Sequence, residues 1–326
     1  MSVDAPTEAD DYVVLTDWLE LVALFSERHR ARIDLIAGAF EIGEDTCVED
    51  IGVADQESED HSDHLSEEVS RRSEALTEDA YPFVMSDNGE ELFLKPNLTY
   101  GHKAYLASLI HEHSRNSGKL SGDHKMSNRE AARGRDLFEI FAVFAMHSFC
   151  ADGQTFHIGK NRSNQQGLLA MLSTASAIIG EGIVEELANV PDFAPVEVND
   201  GGVDIIGVQQ EHDGPPGIWH FGQSAAGADY ISKSADTEVR SFCRIWYSTA
   251  PATVRGIMLV SFMMDRHEAE RQSPRLGHVL HRLRLPLHAL KGKALYDNDN
   301  SKVHFVDEPE SPCQWLDDYV RRVRAI

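Results

Sequence analysis

Two short stretches carry the residues best suited to chemistry. GGVDIIGV, residues 201–208, is an apolar strand-like run with an aspartate at its mouth. GIWHFGQSA, residues 217–225, is a second apolar run that ends in Gln-Ser-Ala. Asp204 and Gln223 are polar groups at the tips of otherwise apolar segments, where they cost stability unless something binds them. A carboxylate and an amide oxygen at adjacent strand ends are hard oxygen ligands of the kind Mg²⁺ prefers. A cation held there can activate water and neutralise the charge that grows on a phosphodiester during cleavage. The turn Asp213-Gly214-Pro215-Pro216 between the two runs predicts antiparallel pairing that sets Asp204 beside Gln223. Singly, each has a plainer reading: an aspartate before a strand is commonly a turn residue, and a lone glutamine can simply bond a neighbouring backbone group.

The positioning elements follow from periodicity. SNREAARGRDLFEIFAVFAMHSF, residues 127–149, opens with Ser127 and Glu130 at capping-box spacing and continues as an apolar helical face through Phe149. A helix is predicted over 168–179, strands near 196–198, 203–208 and 218–222, a helix over about 228–246, and a buried strand at 256–264. The chain closes with a helix, QWLDDYVRRVRAI. This order of helix, three strands, helix and strand suits an α/β (α+β) fold with a small mixed sheet flanked by helices. Toward the N-terminus, 13–25, 64–77 and 100–115 read as helices, 33–40 as a short amphipathic element and 81–95 as a hairpin. Residues 41–63 are acidic and poor in large apolar groups and read as a loop or mobile linker. The small, polar stretch 116–125 marks a boundary between a mainly helical domain, 1–125, and a second domain, 126–326.

With these residues in place, the second domain resembles the PD-(D/E)XK nuclease superfamily, and in particular the Mrr-type restriction endonucleases, whose signature is an aspartate strand followed by Gln-x-Lys. The resemblance covers about residues 127–264. It implies a restriction-endonuclease-like fold and a Mg²⁺-dependent DNA endonuclease, with Mn²⁺ as a substitute cation. Asp204 matches the family aspartate and Gln223 the glutamine. The family's first helix often supplies a metal-binding glutamate in a Gly-x-x-Phe-Glu setting; GRDLFE, 134–139, offers Glu139 with one residue more between Gly134 and Phe138. The family lysine, two positions after the glutamine, is replaced by Ala225. A migrated lysine occurs in this superfamily, and Lys233, the only lysine between 161 and 290, lies on the next predicted helix. GQSAAGADYISK is also similar to a Gly-Gln-x-Ala-Ser-Gly segment followed by an aromatic residue and lysine in prokaryotic anti-phage effectors. The resemblance thus implies metal ligation by Glu139, Asp204 and Gln223, charge stabilisation by Lys233, and employment in restriction or anti-phage defence. The alternative is a nuclease fold that has lost catalysis and serves as an adaptor or sensor. RNA as substrate fits the same metal logic. Cutting both strands needs two sites, so a homodimer or larger complex is expected. No GxxxxGK[ST] loop is present, so nucleotide-driven translocation would fall to an ATPase partner.

Composition bears on partners. The chain carries a net charge of −24, which opposes phosphate binding, but the excess is local: residues 1–80 hold 23 acidic and 5 basic groups. That segment reads as a solubilising surface or as a DNA-mimicking, autoinhibitory one. No apolar run is long enough for a membrane span, and the acidic N-terminus lacks signal-peptide character, so a cytoplasmic protein with no membrane partner is expected. Cys47, Cys150, Cys243 and Cys313 are dispersed and read as buried reduced thiols. His111 and His113 in His-x-His spacing point apart on a helix and read as structural. His157, Lys160 and Arg162 read as a basic loop that offers a phosphate contact. Residues 275–293 read as one amphipathic helix that packs on the core or touches DNA backbone or a partner.

Overall fold

The computed structural model describes residues 3–7, 10–36, 51–114, 118–151, 153–159, 167–191, 202–225, 235–264 and 266–325, with the side chains of 51–61, 236, 266 and 269 excepted. The chain divides into two compact units: Met1–Ala131 with Cys313–Ile326, and Ala132–Pro312. The closing helix therefore groups with the N-terminal residues, although the sequence places it at the end of the second domain.

The first unit holds α1 (Tyr12–Phe25), β1 (Arg30–Arg32), α2 (Ile51–Leu76), β2 (Phe83–Met85), β3 (Glu91–Leu94) and α3 (Tyr100–His113). The three strands form a small antiparallel sheet in the order β1-β3-β2. The predicted hairpin is the β2–β3 pair. The expected linker over 41–63 is corrected in part: 51–63 are helical, as the start of α2, and 41–50 lie outside the described residues. Leu65, Val69, Arg72 and Leu76 recur at spacings of four, three and four and are buried, which anchors one face of α2. With that stripe anchored, the Ala, Gln and Glu-containing stretch before it has good enough helix propensity to continue the turn. Composition alone misled because it measures burial capacity, not backbone preference.

At the centre of this unit Arg72, fully buried, donates to Glu68, Asp17, Glu20 and the backbone carbonyl of Val13. Tyr81 and Tyr105 donate to Glu20, and His113 Nε2 lies 2.8 Å from Asp17. His111 stacks on Trp315, with ring centroids 5.4 Å apart. The two histidines thus serve different packing contacts, as expected for structural residues.

The second unit is built on a six-stranded mixed sheet, order β10-β9-β7-β6-β4-β11, flanked by helices. Its strands are β4 (Gln154–His157), β6 (Ile205–Glu211), β7 (Gly214–Ala225), β9 (Thr253–Val260), β10 (His278–Leu280) and β11 (Val303–His304); β5 (Ile183–Val184) and β8 (Tyr247–Thr249) pair separately. The helices are α4 (Asn128–Phe149), α5 (Leu168–Ile179), α6 (Ala235–Trp246), α7 (Arg266–Leu276), α8 (Leu285–Asn298) and, shared with the first unit, α9 (Ser311–Arg324). The capping box forms: the Ser127 hydroxyl accepts from the Glu130 N–H, and the Glu130 carboxylate accepts from the Ser127 N–H. Strands β4, β6 and β7 run antiparallel in succession, and β9 joins β7 in parallel after the crossover through α6. One face of the sheet buries Phe156, Ile206, Val208, Trp219 and Phe221 against α5 and α6. Each large apolar side chain buried here contributes about 1.5–3 kcal/mol.

Two expectations change here. QTFH is a strand, β4, where His157 was expected in a basic loop; Lys160 and Arg162 lie outside the described residues. The single helix over 275–293 is a strand and a helix. Gly277, at φ +72°, ends α7, HVL pairs in parallel with β9, and Pro286 sits in the first turn of α8, where its missing N–H costs nothing. The expected strand near 196–198 and residues 228–234 of the expected helix also lie outside the described residues. Cys150, Cys243 and Cys313 are buried and form no disulfide among the described residues. No helix among the described residues is long and apolar enough to cross a membrane.

Candidate metal centre

Asp204 is fixed by its neighbours on both sides. Its N–H donates to Gly222 on β7 (2.9 Å), and its carbonyl accepts from Ile158 (2.9 Å) and Gly159 (2.8 Å) at the end of β4. Gly202, at φ +87°, allows the sharp approach into this position. The Asp204 carboxylate accepts from the Ser224 N–H at 2.7 Å. The bonds to residues 222 and 224 bracket Gln223, so the carboxylate and the glutamine occupy the same strand tip. Asp204 is only 9% exposed.

Gln223 carries the most informative atom. Its side-chain Oε1 is buried and has no hydrogen-bond partner. Leaving such an acceptor unmet costs about 1–3 kcal/mol, so the atom calls for a partner such as a water, an ion or a ligand.

Glu139 enters from α4. Its Oε2 lies 3.2 Å from Nε2 of buried His157 on β4, which holds the carboxylate in one orientation. Gly159 shows how close Glu139 and Asp204 come. A Cβ at that glycine would stand 2.7 Å from Glu139 Oε2 and 3.3 Å from the Asp204 Cβ. Both side chains therefore converge at Gly159, where any larger residue would have to displace the Glu139 carboxylate. His157 was legible only as a basic-stretch residue. The alternation in QTFHIG and the glycine two positions on are the signals for its place on a strand facing α4. A cavity of about 180 Å³ opens beside His157, bordered by Arg133, Asp136 and Ile140 on α4 and by Asp307 and Ser311.

Gly159→Ala follows as a test of this convergence. The clash falls on the far end of a flexible side chain, so the chain should still fold, at a loss of about 1–2 kcal/mol. Displacing Glu139 should weaken any cation affinity of the site about 10–100-fold. A thermal melt and a calorimetric Mg²⁺ titration measure the two effects separately.

The structure sets Asp204 and Gln223 on adjacent strand tips and brings Glu139 and Asp204 together at Gly159, all within the Ala132–Pro312 unit, while strand alternation turns Gln223 to the sheet face opposite His157. Lys233 lies outside the described residues. Ala225, at the family lysine position, is 4% exposed and packs in an apolar cluster with Ala235, Met258 and Val260. Among the described residues no three His, Cys, Asp or Glu side chains form a ready-made metal cage. A cation here would rest on two carboxylates, the Gln223 amide oxygen and water. That all-oxygen, partly hydrated set fits Mg²⁺ and not a softer metal. Compared with protein-family models, curated proteins and solved structures, the chain finds no match in any of the three.

Proposed function

We propose that the Ala132–Pro312 unit is a Mg²⁺-dependent nuclease that hydrolyses DNA phosphodiesters, on the PD-(D/E)XK plan of its Mrr-like members. The reading is supported by the element order α4-β4-β6-β7-α6-β9 and by the convergence of Asp204 and Glu139 over Gly159. The single observation that carries it is the buried, partnerless Oε1 of Gln223 at the strand tip that the Asp204 carboxylate also occupies. When bound, the cation would supply a polarised water and neutralise charge on the phosphate. Asp204 and Gln223 would hold it, Glu139 would orient the water, and His157 would keep Glu139 in place. Lys233 remains the proposed electrostatic stabiliser on sequence grounds. Restriction or anti-phage defence in the cytoplasm, as a homodimer or with an ATPase partner, completes the proposal.

The burial of Ala225 in an apolar cluster favours a second reading: a nuclease fold without catalysis, acting as an adaptor or sensor. One assay separates the two. Supercoiled plasmid and a structured RNA are incubated with the full chain in Mg²⁺, Mn²⁺ or EDTA. Nicking or linearisation of DNA that needs the cation is expected. Absence of cleavage of either substrate at every cation concentration would leave the adaptor reading, and cleavage confined to RNA would move the substrate.

A further inference from the structure

A second cavity, of about 470 Å³ and within the range of small-ligand sites, lies on the face of this sheet opposite the Trp219–Phe221 cluster. Register places its walls. Gln209 pairs with Ile218, His220 with Arg255 and Gly222 with Ile257, and within each strand the cavity residues are two apart. They therefore share a face, while Trp219, Phe221 and Gln223 alternate to the opposite one. Phe149, at the end of α4, and His278, on β10, close the cavity.

Three features mark this cavity as built to receive something. The Nδ1 of His220 is buried and has no hydrogen-bond partner, in a residue only 6% exposed. Beside it, no carboxylate pairs with Arg255 among the described residues. A half-buried aromatic ring, Phe149, forms a wall with its centroid 5.3 Å from His220 and 4.9 Å from His278. Burial, reinforced by the charges of Arg255 and His278, lowers the His220 pKa to about 4, so the ring is neutral near pH 7 and the Arg255 guanidinium is left as the positive charge on that wall.

Guanidinium, imidazole and a side-chain amide on one rim match the oxygens of a phosphate, which arginine can bind through two parallel hydrogen bonds. Ile218, Ile257 and the Phe149 ring offer an apolar bed for a flat heterocycle. The geometry points to a binding site for a free nucleoside monophosphate, separate from the Asp204–Gln223 strand tip. The inference rests on this cavity alone and stands whether or not the other site cuts DNA.

Isothermal titration of the full chain with AMP, CMP, GMP and UMP tests it, with adenosine and inorganic phosphate as controls and a short single-stranded oligonucleotide as a separate arm. At least one mononucleotide should bind, and its nucleoside or inorganic phosphate alone should bind at least about tenfold more weakly. Arg255→Ala, on an exposed side chain, should fold normally by thermal melt and lose at least about tenfold in affinity, and Arg255→Lys should lose less. Asp204→Ala should bind as the wild type does. The inference is overturned if no mononucleotide binds, if Arg255→Ala binds as well as wild type, or if Asp204→Ala abolishes binding. Binding of the oligonucleotide alone overturns it as well, because the site would then serve a strand and not a free nucleotide.

Discussion

Asp204→Ala should lower the rate of cation-dependent plasmid cleavage by at least about a thousandfold, the kinetic equivalent of the several kcal/mol that a bound metal contributes to such a transition state. No other described residue supplies an acidic oxygen at this strand tip except Glu139 from α4. Its backbone is tied to Gly222, Ile158 and Gly159, so alanine leaves the strand pairing intact and removes only the charged oxygens. Asp204→Asn is the sharper variant. An amide oxygen can still accept from the Ser224 N–H, so the local fold and the melting temperature should stay near wild type. It cannot supply the negative charge that a divalent cation requires, so cleavage should fall nearly as far as in the alanine variant. Cleavage is measured as nicked and linear product against time at several Mg²⁺ concentrations. Normal cutting by Asp204→Asn would remove Asp204 from the metal site.

The largest expected effect on stability lies in the other unit. Arg72→Met should destabilise the Met1–Ala131 and Cys313–Ile326 unit by about 3–5 kcal/mol, because it strips the shared cation from buried Asp17, Glu20 and Glu68. For a unit of this size that corresponds to a fall in melting temperature on the order of 10 °C. The loss should depend on pH with a definite sign. Burial by itself would raise the Glu68 carboxyl, but the hydrogen bond from Arg71 and the charges of Arg72 and Arg71 outweigh it and hold the group below its ordinary value of 4.5. A carboxyl depressed in the folded state contributes stability that is present above its unfolded pKa and is lost as pH falls through the folded one. The gap between wild type and Arg72→Met should therefore be widest near neutral pH and narrow below about pH 4.5, as the carboxylates that need Arg72 become neutral. Thermal melts of both proteins from pH 7 to pH 3.5 give the comparison. A gap that stays constant across that range would mean that the arginine packs there without serving its carboxylates.

The sequence made the repeating features legible and left the local exceptions hidden. The apolar face of α4, the capping box at Ser127 and Glu130, and the strand pair around Asp204 and Gln223 all rest on period and turn chemistry, and the structure has each of them. The helix over 51–63 was hidden because acidic composition hides backbone preference when the anchoring stripe lies further along. The strand HVL was hidden because three residues are too few to show alternation, and the leucines that follow continue a helical spacing across it. At the candidate metal centre, Asp204 and Gln223 could be named from their place at strand tips. The contact between Glu139 and His157 could not, because it joins a helix to a strand 18 residues away and depends on Gly159 to leave room. Pairing across the sheet likewise brings His220 to Arg255, two residues that are unremarkable in the linear sequence.

Manganese supplies the most direct test of the proposed metal centre, since it takes the same oxygen ligands as Mg²⁺ and scatters anomalously at its absorption edge. Crystals of the full chain grown in Mn²⁺ should show an anomalous peak at about 2.1 Å from an Asp204 carboxylate oxygen, with the Gln223 side-chain oxygen as a second ligand and Glu139 directly or through water. An empty strand tip at saturating Mn²⁺, or a peak elsewhere while the Gln223 oxygen stays without a partner, would contradict the account.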